Sequence, residues 1–314
     1  QTCALPIYGV EYVIMEVSSH ALALKRVDAL NFTVVALTNI TQDHLDFHEN
    51  MENYKECKKL LFTKLSHNNT LQFIPSDNPL KINLNKNVFQ YDLNLIIKSC
   101  TKFTEFTIHN SFGQLNICLP LQGEFQAYNA CLAISIALSL GIDKKIIIQA
   151  LANMPNINGR FQTVVEALQK KELFVVVDFA HTPDALENIL KTAKKLKHEK
   201  IILVFGCGGN RDASKREIMG KIASQYADTI IVTDDNPRDE NPKSIRQQII
   251  KKIIGSNYLE IADRKEAIKK ALELANKKDI VIIAGKGHEN YQIYANNKTH
   301  FSDYDTVVEL VNNI

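Results

Sequence analysis

The sequence predicts an α/β protein whose mostly parallel sheet is covered by helices on both faces. Two observations carry that expectation. After residue 160, apolar runs of four or five residues alternate with longer segments of helical period, the pattern of repeated βα units. These runs also end in loops rich in Gly, Pro or charge, and open α/β sheets place their ligands beyond the carboxyl ends of the strands.

Composition narrows the function classes. The 314 residues suit about two domains. A 45% hydrophobic and 23% charged composition belongs to an ordinary globular chain rather than a disordered one. The net charge of +2 is too small to argue for nucleic acid or an anionic membrane surface. No apolar run reaches the ~18 residues of a membrane span. Six cysteines at 3, 57, 100, 118, 131 and 207 form no CxxC pair, so reduced thiols in a cytoplasmic protein are expected rather than a zinc ribbon or disulfide scaffold. The first seven residues, Gln1 to Ile7, look like a translated sequencing adapter, and native sequence is expected from near Tyr8.

In chain order, Tyr12–Val17 is expected as a strand carrying Glu16, with Ser18 and His20 at its end. A second strand, Phe32–Leu37, leads into a loop holding Asp43, His44, Asp46 and His48. Two such strand ends suggest hard ligands on one rim, which suits Mg²⁺. His44 and His48 are four apart without the HExxH pattern, which argues against zinc hydrolysis. Glu52–Leu65 follows a helical period, and residues 71–121 alternate short apolar and polar segments as strands and hairpins do. Helices are expected over Gly123–Leu140 and Lys144–Ala152.

Met154–Arg160 clusters Pro, Asn and Gly and is the expected linker, dividing the chain into 8–157 and 158–314. Beyond it strands are expected at Phe174–Asp178, Ile201–Phe205, Thr229–Val232 and Ile280–Ala284. Helices are expected at Asp184–Leu196, Lys215–Tyr226, Ser244–Ile254 and Asp263–Ala275.

The strand-end loops carry the chemistry. Residues 206–212 (GCGGNRD) lack the GxGxxG fingerprint, and 285–289 (GKGHE) is no P-loop, so NAD chemistry and a P-loop at either place are not indicated. The loops instead offer Arg211, Asp235, Asn236, Arg238 and Glu289. Carboxylates accept hydrogen bonds and a guanidinium fork grips a carboxylate in two. Such converging opposite charges suit a zwitterion such as an amino acid. Pro237 stiffens its loop by fixing φ.

Seven motifs in register resemble the Mur ligases of peptidoglycan synthesis, in the branch that adds meso-2,6-diaminopimelate. They are Glu16–His20, Thr38-Asn39 with Asp43–Asp46, Gly159-Arg160, Asp178–Asp184, Gly206–Gly209, Asp235–Arg238 and Gly285–Glu289. The resemblance implies part of a central ATP-binding domain followed by a Rossmann-like C-terminal domain. It implies a ligase in which ATP activates a D-glutamyl carboxylate as an acyl phosphate that the amino acid's amine then attacks. Glu16, His44 and a carbamylated Lys58 would hold Mg²⁺ and form the catalytic set. Ser18 and Arg26 would hold the UDP-muramoyl dipeptide, and Asn129, Arg160 and His181 would hold ATP. Arg211, Asp235, Asn236, Pro237, Arg238, Gly285 and Glu289 would hold the added amino acid. Arg238 would choose diaminopimelate, whose far end bears a carboxylate that lysine lacks.

Two positions depart from the family pattern: Gln126 replaces the first of two paired Asn residues, and Leu24 stands where some members have Gln. The family's UDP-binding domain and P-loop have no counterpart in the sequence, so this polypeptide is expected not to turn over by itself, and its first domain to expose apolar surface. A monomer binding only small molecules is expected. The rival readings are a lysine-adding or folylpolyglutamate-synthase-like ligase, and a non-catalytic amino-acid-binding module.

Overall fold

The structure, a computed structural model, describes residues 10–91, 95–99, 103–110, 113–196, 198–255 and 257–313. Gln1 to Ile7, expected to be foreign, lie outside the described residues, as do Cys3 and Cys100. Four described cysteines, Cys57, Cys118, Cys131 and Cys207, are free thiols. The chain divides into two compact units, residues 1–40 with 47–90, and residues 41–46 with 91–314. The expected division at 157/158 falls inside the second unit.

Among the described residues the chain begins with α1 (Ser19–Ala23), β1 (Val34–Ala36), α2 (Leu45–His48), α3 (Met51–Thr63), β2 (Leu71–Pro75) and β3 (Val88–Tyr91). The sheet of the first unit runs β1-β2-β3, with β1 parallel to β2. Its core gathers Val35, Leu37 and Ile74 from the sheet and Leu61 and Phe62 from α3. Tyr12–Val17, expected as a strand, is irregular. A strand exists through its ladder, and this segment has no hydrogen-bonded neighbour strand among the described residues. Its Ile14 is 98% exposed.

The second unit opens with an antiparallel sheet of β4 (Ile96–Ser99), β5 (Thr104–Asn110) and β6 (Gly113–Leu119), followed by α4 (Glu124–Ser139) and α5 (Lys144–Ala152). Next come β7 (Gln162–Thr163), α6 (Val165–Lys171), β8 (Phe174–Asp178), α7 (Pro183–Lys195), β9 (Ile201–Phe205), α8 (Lys215–Tyr226) and β10 (Thr229–Val232). The chain closes with α9 (Pro242–Ile250), β11 (Asn257–Glu260), α10 (Arg264–Leu274), β12 (Ile280–Ala284), a hairpin of β13 (Tyr291–Tyr294) and β14 (Asn297–His300), and α11 (Asp303–Asn313). Helix α9 starts two residues before the expected Ser244, because Asn241 caps it through Ser244 N and Pro242 occupies its first turn.

The main sheet has the order β11-β10-β9-β12-β8-β7, parallel throughout except for β7. Alternation along each strand sorts side chains to two faces. Ile201, Leu203, Phe205, Ile280 and Ile282 pack under α7, α8 and α9. Ile202, Val204, Val281 and Ile283 pack under α6, α10 and α11. Burial on both faces explains why these strands read as continuous apolar runs. Parallel pairing also aligns their carboxyl ends: Asp178 lies opposite Ala284, and Val232 opposite Phe205.

Candidate functional site

The loops after β9, β10 and β12 meet on that rim. Gly206 and Gly209 permit the approach. A Cβ on Gly206 would stand 2.2 Å from Thr233 O, and one on Gly209 would stand 1.9 Å from Pro237 O. Gly209 N donates to Asn236 O at 2.9 Å, tying the two loops together.

Asn236 is the hub. Its Nδ2 donates to Glu289 Oε2 at 3.0 Å, while its Oδ1 accepts from Lys286 Nζ at 3.2 Å and Ile293 N at 3.0 Å. Lys286, fully buried, also meets Glu289 Oε2 at 3.2 Å, and Tyr291 Oη donates to Glu289 Oε1 at 3.2 Å. Burial and the Glu289 charge raise the Tyr291 phenol above its ordinary value, so it stays a donor at neutral pH.

Asp235 is 8% exposed, and its Oδ2 has no hydrogen-bond partner among the described residues. It faces Gly285, where a Cβ would stand 2.8 Å from that oxygen. Gly285 has a φ of 116°, a conformation open to glycine at little cost. Arg238 has a φ of 52°, rare for a residue with a side chain. The hairpin holds it there: Arg238 N donates to Ile293 O at 3.1 Å, and Ala295 N to Arg238 O at 2.7 Å. Strained backbone over-determined by its surroundings concentrates at functional sites. Arg238 Nη1 reaches Gly209 O at 2.7 Å, and the fork has five donors in all. A Cβ on Gly208 would stand 2.9 Å from Arg238 Nη1 and 4.0 Å from Arg211 Cγ, so both arginines border one glycine. Pro237 is buried.

A second cluster lies where Gly159 meets the end of β8. Phe179 N donates to Gly159 O at 2.8 Å. The Arg160 guanidinium sits 4.8 Å from the Phe179 ring centroid, and the His181 and His288 rings lie 4.6 and 5.1 Å from it. Asp178 accepts from Phe161 N at 2.6 Å and Ala180 N at 2.7 Å. Burial lifts the Asp178 carboxyl to about 6, against those two donors and Arg160, which pull it down. Asn129 lies exposed on α4. Burial pushes the Cys207 thiol up to about 12, which leaves it inert.

In the first unit Ser18 Oγ accepts from Ala21 N at 3.1 Å and caps α1, while Arg26 is exposed. Glu16 is exposed, and Lys58 Nζ donates to the neighbouring Val17 O at 3.3 Å. Magnesium wants oxygen ligands, which Glu16 supplies and an amine does not. The donor set therefore fits the metal only with Lys58 carried as a carbamate. His44 belongs to the second unit, with a φ of 56° and Nε2 3.4 Å from Asp43 Oδ2. Among the described residues no three His, Cys, Asp or Glu side chains gather as a metal-binding group.

Sequence reasoning missed much of what supports the rim. Tyr291 and Tyr294 come from the hairpin, whose two short runs separated by two residues are its visible signal. Lys286 stood in a quoted motif without a role. Arg264, Asp303 and Arg246 gave no signal, since each looks like helix surface.

A mostly parallel sheet covered on both faces, with oppositely charged loops on one rim, is the architecture of a ligand-binding α/β domain, and the chain belongs to the Mur ligases. Residues 2–137 match the Mur ligase middle domain, and residues 159–287 match the Mur ligase glutamate ligase domain. The chain is 42% identical over 320 residues to the UDP-N-acetylmuramoyl-L-alanyl-D-glutamate–2,6-diaminopimelate ligase of Syntrophomonas wolfei, covering 96% of this chain and 64% of that protein. It is 41% identical to the enzyme of the same name from Clostridioides difficile, again over 96% and 64%. A solved structure of such a ligase aligns at a TM-score of 0.57 and 32% identity, over 95% of this chain and 64% of that one. A pseudomurein peptide ligase type C from Methanothermus fervidus shares the fold at a TM-score of 0.69 and 20% identity, over 95% of this chain and 66% of that one. The chain thus spans 64% of the length of the curated relatives named. Among the described residues no helix is long and apolar enough to cross a membrane.

Proposed function

We propose that this chain is the amino-acid-adding part of a ligase that joins meso-2,6-diaminopimelate to UDP-N-acetylmuramoyl-L-alanyl-D-glutamate. The observation that carries the reading is the buried Asp235 oxygen without a partner, set on the same rim as Arg238, Arg211 and the Asn236–Lys286–Glu289 cluster. Asp235 would accept from the ammonium of the incoming amino acid. Arg238, half-buried, and Arg211, exposed, would take its distal carboxylate, and lysine, lacking that group, would forgo those charged hydrogen bonds. Ser18 and Arg26 would hold the UDP-muramoyl dipeptide.

ATP is the second substrate. Its γ-phosphoryl group passes to the D-glutamyl carboxylate, releasing ADP. The amine then attacks the acyl phosphate, phosphate leaves, and the amine's proton goes to solvent. Arg160 and His181, gathered at the Phe179 ring, would hold the nucleotide with Asn129. In the first unit Glu16 and carbamylated Lys58 would hold magnesium, which would supply positive charge to phosphoryl oxygens. We keep 157/158 as the boundary between the ATP-binding and amino-acid domains, and place a monomer in the cytoplasm, where ATP and UDP-linked substrates are found.

Calorimetric titration of the 314-residue chain tests the reading. Diaminopimelate should bind, and lysine should bind about tenfold or more weakly, the worth of one charged hydrogen-bond partner. Equal binding of the two, or of neither, would sink it.

A further inference from the structure

Arg264 and Asp303 are both fully buried and paired by two parallel bonds, Nε to Oδ1 at 2.7 Å and Nη2 to Oδ2 at 2.8 Å. They are the first residues of α10 and α11. Stability alone is a poor reason for such a pair, because well-packed apolar side chains serve as well or better. The same guanidinium does something else. Nη2 also donates to Ala284 O at 2.9 Å, and Nη1 reaches Asp234 O at 3.4 Å. Those carbonyls stand immediately before Gly285 and Asp235, at the roots of both loops of the amino-acid rim. Buried carbonyls at the end of a strand need donors; Asp234 O accepts from Gln292 Nε2 at 3.3 Å as well. Only a planar fork with five donors reaches two of them and a carboxylate at once.

We infer that Arg264, held by Asp303, is a positioning residue that fixes the spacing of loops 235–238 and 285–289 and thereby the affinity for the amino acid. Helix α11 is then part of the pocket's support. The inference rests on the amino-acid pocket proposed above. Burial opposes the Arg264 charge, and Asp303, Asp235 and Glu289 together more than offset it, with Asp303 contributing most. The two rim acids therefore sit in the field of this cation.

The test uses the 314-residue chain with Arg264→Met and Asp303→Leu combined, which removes both charges and keeps apolar volume. Its urea midpoint should equal or exceed the parent's. Amide hydrogen exchange over 234–238 and 285–289 should quicken about tenfold while the sheet stays protected. Calorimetry should show diaminopimelate bound about tenfold more weakly. Arg264→Lys, which keeps a cation but loses the fork, should fall between parent and double variant.

A folded double variant whose two loops exchange as slowly as the parent's overturns the inference. Should the double variant not fold, Arg264→Lys decides by the same comparison: loops as protected as the parent's overturn it, and faster exchange confined to them supports it. A parent chain that fails to bind diaminopimelate removes the pocket assignment instead, and the exchange comparison still decides whether Arg264 holds the loops.

Discussion

The rim of the second unit and the strand-end segment of the first unit both carry charged motifs, yet they are supported very differently. Asp235–Arg238 is held by a neighbouring loop, a hairpin and a buried cation: Gly209 N, Ile293 N and Lys286 Nζ all bond to it. Glu16, by contrast, lies exposed in irregular chain, and Ser18 spends its hydroxyl on capping a helix of five residues. The difference teaches where specificity can be preorganised. A site whose side chains are locked by their own sheet can discriminate ligands by unpaired charge. A segment without a ladder has no such lock.

The largest effects should come from breaking the locked side. Lys286→Met leaves Glu289 without its cation and Asn236 without one donor. Removing one partner of a buried pair costs roughly 3–5 kcal/mol, and because Glu289 is part-exposed the loss should lie at the low end, about 3 kcal/mol. Urea denaturation should register that loss, and calorimetry a matching fall in diaminopimelate affinity. An unchanged midpoint would mean that Lys286 is not the rim's brace.

Asp178 gives the next effect and a distinct pH signature. Below the ordinary value of 3.8 its carboxyl is protonated both folded and unfolded, and contributes nothing. Between 3.8 and about 6 the unfolded chain releases the proton while the folded chain keeps it, so stability falls as pH rises. Above about 6 the penalty is complete, at about 3 kcal/mol. Asp178→Asn removes the titration, so the parent-minus-variant difference in unfolding free energy should drop by about 2–3 kcal/mol between about pH 4 and about pH 7. A flat difference would place Asp178 outside the low-dielectric interior.

Why the sequence disclosed one side of this contrast better follows from the range of the interactions. β8, β9, β10 and β12 were readable because burial on both faces writes an apolar run into consecutive residues, and parallel pairing then puts their loops on one rim. Arg264 and Asp303 were not readable, because their pairing joins residues 39 apart in the chain and each looks like the charged start of a helix. The hairpin was missed because β14 is exposed at every position, so no apolar alternation marks it. Tyr12–Val17 failed in the opposite direction. Its composition is that of a strand, but a strand is a property of a pair.

Arg238 sharpens the contrast into ligand choice. Arg238→Ala removes the fork but keeps a Cβ on the left-handed backbone, so that strain is unchanged, while the Asn236–Lys286–Glu289 cluster stays. Diaminopimelate affinity should fall about 10- to 100-fold, the range of a charged hydrogen bond, and lysine affinity should barely move. Competition calorimetry with both amino acids reads the ratio. A variant that keeps the parental preference assigns discrimination to Arg211 or the rim acids instead.

The smallest effect belongs to the first unit. Ser18→Ala deletes the cap on Ala21 N, which costs about 1 kcal/mol of local helix stability. Helix α1 places Leu22 against α3 in the core of that unit, so the loss should show as faster amide exchange over 19–24 with the urea transition of the second unit unmoved. Diaminopimelate affinity should stay at the parental value, because no rim residue depends on this cap. If Ser18→Ala weakened diaminopimelate binding by as much as Arg238→Ala, the rim would depend on this cap, and the contrast between a locked rim and an unbraced segment would fail.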